Sequence, residues 1–354
     1  MGEKHLISRK KVRYPVSDYL QSYLRRYGRI RADSIRYDDL LRFTAATAVY
    51  DEKGQDTLWS TVLYRDSERP EIHGKLLSAY AILKANGDMS ITDHLYIDRV
   101  DLCNHGNTLP FRIRVVNRIN ENFDYFYVKR IDANRIYGLE LEHILSPNRV
   151  NYFLHRRTII EEHIIGIPAD AFLRESLPIT DFDRVRLAKE FVKFNERCFV
   201  SLLGDMHSGN YVVELTRDFE QWHFRIHSID FDQQSHHWRM EVYLPQFFRQ
   251  NEPLLLLTIR NLAPENVLQY QKEERSLIAN RVRVSDNRFN ALMEVMREDV
   301  ISTDDNIQRL GAQLARHYND NRFTACSSMG DLVHQSIMLL LEDSKPATSP
   351  HVPL

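Results

Sequence analysis

The chain has 354 residues, of which 43% are hydrophobic and 27% are charged, and its formal net charge is −2. This composition is typical of a globular protein and excludes collagen-like, coiled-coil and mostly disordered chains. The near balance of acidic and basic residues gives no indication that the chain as a whole binds a polyanion.

The N-terminal segment is polar and basic, without the apolar stretch of a secretory signal. The longest strongly apolar runs, Leu254–Ile259 and Ile337–Leu341, are far shorter than the roughly 20 residues that cross a bilayer. Three widely spaced cysteines without CxxC spacing favour a reducing compartment over a disulfide framework. The sequence therefore predicts a soluble, cytoplasmic protein.

The first fifty residues carry a net charge of +6, and five tyrosines are interleaved with the basic residues. Apolar positions at helical spacing predict helices within Val16–Tyr27 and Ser34–Ala48, and a further helix within residues 55–95. Residues 1–92 are thus expected to form a helical N-terminal extension. Its basic residues are either a solvated helix face or a docking surface for an anionic partner or nucleic acid.

Residues 93–166 have a different pattern, in which β-rich runs alternate with turns. The sequence predicts three antiparallel strands, a helix from Asn134 to Ser146 and two short strands; the strands are His94–Leu102, Phe111–Asn117, Tyr125–Ile131, Asn151–His155 and Thr158–His163. Pro147 disfavours helical geometry just before it and so ends the helix. This region is expected to form a small lobe built on an antiparallel sheet.

Residues 167–344 are predicted to be mainly helical. A helix is expected over Asp183–Val200, a β-pair at Tyr211–Val213 and Phe224–Ile229, and several amphipathic helices from residue 240 to residue 342. Residues 345–354 contain three prolines and are expected to be disordered. The predicted fold class is α+β.

Polar residues that suit phosphoryl transfer are concentrated in LLGDMHSGNYVV (202–213) and HSIDFDQ (227–233). Phosphoryl transfer needs a carboxylate that orients the attacking hydroxyl and accepts its proton, together with hard oxygen ligands for Mg²⁺. We expect Asp205 to be this base, and Asn210 and Asp230 to be the metal ligands.

Lysine usage indicates which residue binds the phosphates. The chain has 11 lysines and 36 arginines, and Lys129 is the sole lysine between Lys84 and Lys189. A compact ammonium on the third predicted strand, in a region that otherwise uses arginine, suits a phosphate-binding position.

These motifs resemble the protein-kinase-like superfamily, and within it the aminoglycoside phosphotransferase and choline kinase branch. GDMHSGN is similar to the catalytic loop of that branch, IDFD to its metal-binding motif, and YVKR to the strand that carries the phosphate-binding lysine. TIIEEHIIGIP (158–168) is similar to the hinge strand. Three departures are a leucine, Leu203, in place of the leading histidine, Gly204 in place of the arginine of classical protein kinases, and the absence of GxGxxG before Lys129.

The resemblance implies a two-lobed protein-kinase-like fold with a small antiparallel-sheet N-lobe and a mainly helical C-lobe. It also implies an ATP- and Mg²⁺-dependent phosphotransferase that acts on an alcohol group of a small molecule. The alternatives are a kinase-like pseudoenzyme or regulatory nucleotide-binding module, and an atypical protein kinase.

The resemblance also implies the cofactor-binding residues. Lys129 would bind the α- and β-phosphates and would pair with Glu140 or Glu142; Glu140 is favoured because it lies nearer the buried stripe of its helix. Backbone groups of Glu161, Glu162 and His163 would meet adenine, and Gly106 is the one glycine of the phosphate-covering turn.

Overall fold

The computed structural model describes residues 11–104, 109–175, 180–219 and 221–344. Two of the sequence-based predictions concern residues outside these ranges. They are the placement of Gly106 in the phosphate-covering turn and the disorder of the tail 345–354. The chain divides into an N-terminal unit, Arg9–Ala133 and Val150–Ile164, and a C-terminal unit that contains Asn134–Arg149 and the chain from Ile165 onward. Among the described residues, no helix has both the length and the apolar character needed to cross a membrane.

Within the described residues, the N-terminal unit contains a seven-stranded antiparallel sheet in the order β1-β2-β3-β4-β5-β7-β6. Its elements are α1 (Asp18–Arg26), α2 (Tyr37–Leu40), β1 (Ala45–Tyr50), β2 (Asp56–Leu63), α3 (Arg69–Ala85), β3 (Leu95–Cys103), β4 (Phe111–Asn117), β5 (Phe123–Arg130), β6 (Tyr152–His155) and β7 (Thr158–Glu162). The predicted order of helix and strands from residue 94 to residue 163 is confirmed.

The core of this unit lies between the sheet and α3. Ile72 and Leu76 of α3 are fully buried with Phe111, Ile113 and Phe126 of the sheet. The alternation of apolar residues along β4 and β5 places one face of each strand on this core. The position of Lys129 near the end of β5 is therefore fixed by a well-packed sheet.

The first helix of the chain is also as predicted. The Ser17 hydroxyl accepts a hydrogen bond from the Leu20 N–H, and Asp18 opens the first turn while Arg25 and Arg26 occupy the last. The Ser17 cap satisfies an N–H group that would otherwise lack a partner, and the charges at the two ends complement the helix dipole. Apolar residues at helical spacing bury Leu20 against the rest of the unit.

The predicted helix Ser34–Ala48 is wrong, and so is the helical interpretation of residues 56–63. Only α2 is helical in the first segment, and Ala45–Tyr50 forms β1, which pairs with β2 and extends the sheet. Residues 11–92 therefore do not form a separate helical extension but share one unit with the predicted small-lobe strands. β1 is almost entirely exposed, so it carries no alternating apolar pattern that would have indicated a strand.

The C-terminal unit is mainly helical, as the sequence predicts, and its described strands form a three-stranded sheet in the order β10-β9-β8. Its elements are α4 (Ala133–Leu145), β8 (Ile167–Pro168), α5 (Ala169–Glu175), α6 (Asp181–Ser201), β9 (Tyr211–Asp218), β10 (Gln221–Ser228), α7 (Glu252–Asn261), α8 (Pro264–Val284), α9 (Asp286–Glu298), α10 (Asp304–Tyr318) and α11 (Met329–Asp343). The molecule is thus an α+β protein with an antiparallel sheet followed by a helical region.

A buried ion pair joins α4 to α9. The carboxylate of Glu140, which is 0% exposed, accepts hydrogen bonds from Nη2 and Nε of Arg288 at 2.6 and 3.1 Å. Glu140 therefore lies on the buried face of its helix, as the helical periodicity predicts.

We expect Arg288→Met to lower the free energy of unfolding by about 3–5 kcal/mol, because it removes charge-assisted hydrogen bonds from a buried carboxylate. Urea unfolding measures this. Arg174→Met breaks the exposed pair with Asp170, 3.2 Å apart, and should cost less than about 1 kcal/mol. Equal losses of stability in the two variants would show that the Glu140–Arg288 pair contributes no more than an exposed ion pair. The double variant Arg288→Met with Glu140→Leu should recover most of the stability that Arg288→Met loses, because it leaves no unpaired buried charge.

Candidate functional site

The loop that follows α6 presents Asp205. Leu202 ends the helix in the left-handed conformation, with φ of 55°, and Asp205 has φ of 65°. A Cβ on Gly204 would lie 2.9 Å from Val242 Cγ1 and 3.0 Å from the Gln233 carbonyl oxygen. The close approach of these neighbours explains why glycine precedes the predicted base.

Hydrogen bonds hold the backbone of this loop. The Asp205 carbonyl oxygen accepts from the Asn210 side-chain amide and from the His207 N–H, each at 2.8 Å, while the Asp205 N–H donates to the Val242 carbonyl at 3.0 Å. The Asn251 side-chain amide donates to the Met206 carbonyl at 2.8 Å. These contacts involve the main chain of Asp205 and not its carboxylate.

The second predicted acid, Asp230, follows β10 and is tied to the same loop. The Ile229 N–H donates to the Asn210 carbonyl at 3.0 Å. Nη1 of the buried Arg135 lies 3.0 Å from Asp230 Oδ1 and 2.8 Å from Asp232 Oδ1. The structure therefore brings Asp205, Asn210 and Asp230 into one assembly, and it places a guanidinium beside the two acids.

Helix α4 packs closely on this acidic segment. A Cβ on Gly138 would lie only 2.8 Å from the Phe231 Cβ, so a larger side chain would displace the segment. The same helix carries Arg135, three residues earlier and so on a neighbouring part of the helix surface. Helix α4 thus positions both the backbone and the charge of the Asp230–Asp232 segment.

The electrostatics of the site follow from burial and from the proximity of the two acids. Burial, and then the negative charge of Asp230, raise the pKa of Asp205 to about 7. Burial lowers the pKa of His207, against the opposing effect of Asp230, so this ring is neutral at pH 7. A carboxyl group that titrates near neutrality suits proton transfer.

The donor set fits Mg²⁺ better than a transition metal. The described residues contain no group of three His, Cys, Asp or Glu side chains arranged to hold a metal ion. Asn210 and Asp230 offer one amide and one carboxylate oxygen, and Mg²⁺ is typically held by one or two carboxylates with water and substrate phosphates as its other ligands. A divalent cation here would also relieve the repulsion between Asp205 and Asp230.

Lys129 lies in the N-terminal unit, near the end of β5. It is buried, and its Nζ is 2.8 Å from Glu161 Oε2. In the β5–β7 register Lys129 is opposite Ile159 and Tyr127 is opposite Glu161, so Lys129 and Glu161 are diagonal neighbours on one face of the sheet. The pairing of Lys129 with Glu140 or Glu142 stays a prediction, because those two glutamates belong to the other unit.

The predicted hinge residues lie at the end of β7. Glu161 is opposite Tyr127 on one side and Tyr152 on the other, so it lies inside the sheet. Glu162 ends the strand, and Nδ1 of His163, the next residue, is 3.2 Å from the Tyr127 hydroxyl. Burial lowers the pKa of His163. Contact of this backbone with adenine stays a prediction.

Sequence reasoning missed Arg135 and the carboxylate role of Glu161. Arg135 is separated from Asp230 by 95 residues, and no local pattern relates them. The diagonal relation of Lys129 and Glu161 could have been found from the alternation of the two strands once their register was known. Arg135 contributes a positive charge beside Asp230, and Glu161 contributes a negative charge beside Lys129. Neither residue belongs to the GDMHSGN or IDFD motifs that identified the loop containing Asp205.

Comparison with known proteins gives no family for this chain. No family model matches the sequence, and none of the curated proteins matches it.

The pKa of Asp205 predicts a pH-dependent change of stability. Its value in the folded protein, about 7, lies above its ordinary value of 3.8, so the folded state holds the proton more tightly and loses stability as the pH rises from about 4 to about 7. We expect Asp205→Asn to raise the free energy of unfolding by on the order of 2–4 kcal/mol at pH 8, with a smaller gain as the pH falls towards 4. Denaturant unfolding at several pH values measures this, and a gain independent of pH would contradict it.

Proposed function

We propose that the protein is a kinase-like phosphotransferase that uses ATP and Mg²⁺ and transfers the γ-phosphate to an alcohol group. The observation that carries the proposal is the carboxyl group of Asp205, with a pKa near 7, in one hydrogen-bonded assembly with Asn210 and Asp230. The GDMHSGN and IDFD motifs, which resemble the aminoglycoside phosphotransferase and choline kinase branch, supply the same three residues.

In this proposal Asp205 orients the acceptor hydroxyl and accepts its proton as the hydroxyl oxygen bonds to the γ-phosphorus. The bond between the γ-phosphorus and the β,γ-bridging oxygen breaks, and ADP leaves. Positioning and charge stabilisation supply most of the catalysis in such transfers. Asn210 and Asp230 would hold Mg²⁺, which neutralises charge on the phosphates when it is bound.

Lys129 would bind the α- and β-phosphates. Its ammonium group is buried and its charge is balanced by Glu161 at 2.8 Å. A buried ammonium needs hydrogen-bonding partners of opposite charge, and phosphate oxygens meet that need. Glu161 is therefore the acid that we propose orients Lys129, in addition to the predicted Glu140.

A small-molecule acceptor remains our preferred substrate class, since Gly204 stands where classical protein kinases have the arginine that anchors a phosphorylated activation loop. Cys198 and Cys326 form no disulfide bond. We propose the cytoplasm as the location, because free thiols are stable there.

One observation favours a second candidate, a catalytically silent nucleotide-binding module. Arg135 Nη1 donates to both Asp230 and Asp232, at 3.0 and 2.8 Å. A guanidinium in this position supplies positive charge that a metal ion would otherwise supply. Such a module would bind nucleotide without Mg²⁺ and would not consume it.

The test combines nucleotide binding with turnover. We would titrate the full chain with ATP, with and without Mg²⁺, and measure ADP production across a panel of sugars, amino alcohols and aminoglycosides. Mg²⁺-dependent binding and acceptor-dependent ADP production support the phosphotransferase. Binding that is insensitive to Mg²⁺, without ADP production from any acceptor, supports the module, and the lack of any nucleotide binding would overturn both.

A further inference from the structure

The N-terminal unit contains a cavity of about 1030 Å³ that the proposed phosphotransfer does not use. α1, the segment that follows it, the end of β5 and the β6–β7 turn contribute its walls. Among the described residues, seven arginines line the cavity: Arg13, Arg25, Arg31, Arg36, Arg130, Arg156 and Arg157. The volume is at the upper end of the range for sites that bind small molecules.

The charge of the lining is strongly positive. Asp38 is the one acidic residue among the described residues that line the cavity, which gives a formal charge of about +6 with histidine counted as neutral. Asp39 pairs with Arg36 at 2.6 Å, and Asp38 lies 3.7 Å from Arg130. Within the part of the chain that the structure describes, the other five arginines form no ion pair. So many guanidinium groups around one space repel one another unless an anion is present.

Main-chain contacts anchor Arg31, and an aromatic ring holds the guanidinium of Arg130. The Arg31 N–H donates to the Leu154 carbonyl at 2.9 Å, and the Arg31 carbonyl is 3.1 Å from Nδ1 of the buried His155. The guanidinium of Arg130 lies 4.6 Å from the centre of the Tyr37 ring. Fixed guanidinium groups lose less conformational entropy when they bind a ligand.

One buried donor in the lining lacks a partner. Within the described residues, Nε of Arg31 is buried and forms no hydrogen bond. A buried donor without an acceptor costs free energy, and a ligand with acceptor oxygens would supply the missing bond. This observation is independent of the overall charge, and it favours a ligand that presents an acceptor atom to Arg31.

The segment that carries Arg13 is also anchored. Lys11 Nζ lies 2.5 Å from Asp132 Oδ2 in a buried pair, and the Tyr14 N–H donates to Asp132 Oδ1 at 3.1 Å. These bonds fix the chain on both sides of Arg13 to a point just after β5. The wall of the cavity is therefore built from residues more than a hundred positions apart in the sequence.

We propose that this cavity binds a small molecule that carries three or more phosphoryl groups. Guanidinium groups bind phosphate oxygens in pairs of parallel hydrogen bonds, which explains the use of arginine rather than lysine. The concave shape and limited volume favour a compact ligand over nucleic acid, whose backbone needs an extended groove or surface.

The test uses inositol hexakisphosphate as the probe, with affinity measured by calorimetry on the full chain. Arg156→Gln with Arg157→Gln changes two exposed lining residues at the β6–β7 turn. Arg260→Gln with Arg316→Gln changes two exposed arginines of α7 and α10 and serves as the control with the same change of charge. We expect the lining variant to weaken binding at least about tenfold, and the control variant to bind as the unchanged protein does.

Other outcomes would overturn the proposal. These are no binding of the probe, equal weakening in both variants, saturation by inorganic phosphate as readily as by the probe, or tighter binding of single-stranded RNA that depends on the same arginines. The last outcome would assign the surface to nucleic acid. Because Lys129 and Asp205 do not line the cavity, Asp205→Asn should leave probe binding unchanged, and so this proposal can fail or succeed independently of the phosphotransferase.

Discussion

Asp205→Asn is expected to lower turnover by about 10²–10⁴-fold while the affinity for ATP with Mg²⁺ stays close to that of the unchanged protein. The carboxylate of Asp205 is the group with a pKa near 7, and asparagine has the same shape but cannot accept the proton. The backbone contacts of the loop, which involve the main chain of Asp205, are preserved in this variant. The measurement is the rate of ADP production with a productive acceptor, set beside calorimetric binding of the nucleotide.

Asp218→Asn is the matched control, because Asp218 ends β9 with its side chain 63% exposed. We expect this variant to retain full turnover. If Asp205→Asn also kept full turnover, Asp205 would not be the base. If it lost nucleotide binding together with turnover, its role would be in binding, and the mechanism given above would need to be changed.

Asp230→Asn is expected to weaken the binding of ATP with Mg²⁺ by at least about tenfold, a lower limit set by the effect of disturbing even the surroundings of a metal ion. Removing this carboxylate takes away the negatively charged oxygen ligand that we propose for Mg²⁺. It also leaves Arg135 near the site with one acid fewer to balance it. The measurement is nucleotide affinity as a function of Mg²⁺ concentration, and the concentration of Mg²⁺ needed for half-maximal binding should rise.

The same variant should lower the pKa of Asp205, since the charge of Asp230 is the second cause of its elevation after burial. The ¹³C shift of the Asp205 carboxyl carbon, followed with pH, reports this directly. An unchanged dependence on Mg²⁺ together with an unchanged Asp205 pKa would show that Asp230 is neither a metal ligand nor an electrostatic neighbour of the base.

The parts of the fold that sequence could predict are those with a local pattern. β4 matches its predicted bounds, and β5 and α4 lie within two residues of theirs, because alternation, periodicity and Pro147 each act over a few residues. The pairing of β1 with β2 could not be recovered, since exposed strands lack an apolar pattern and are fixed by their partner.

The candidate site also has features that a local sequence pattern reveals and features that depend on distant contacts. Asp205 and Asn210 are five residues apart in one loop, so their motif was visible in the sequence and the structure joins them by a hydrogen bond. Arg135 and the Glu140–Arg288 pair depend on contacts across 95 and 148 residues, which only the tertiary packing of distant segments can create. Charge balance in a buried site is therefore the feature that the sequence reveals least.

The most direct test of the central claim is a crystal structure of the full chain with Mg²⁺ and a non-hydrolysable ATP analogue. The proposal predicts that Lys129 Nζ contacts the α- and β-phosphates, that Asn210 and Asp230 coordinate Mg²⁺, and that the Asp205 carboxylate faces the terminal phosphate. A structure in which the bound nucleotide contacts neither Lys129 nor Asp230 would contradict the assignment of this protein as a kinase-like phosphotransferase.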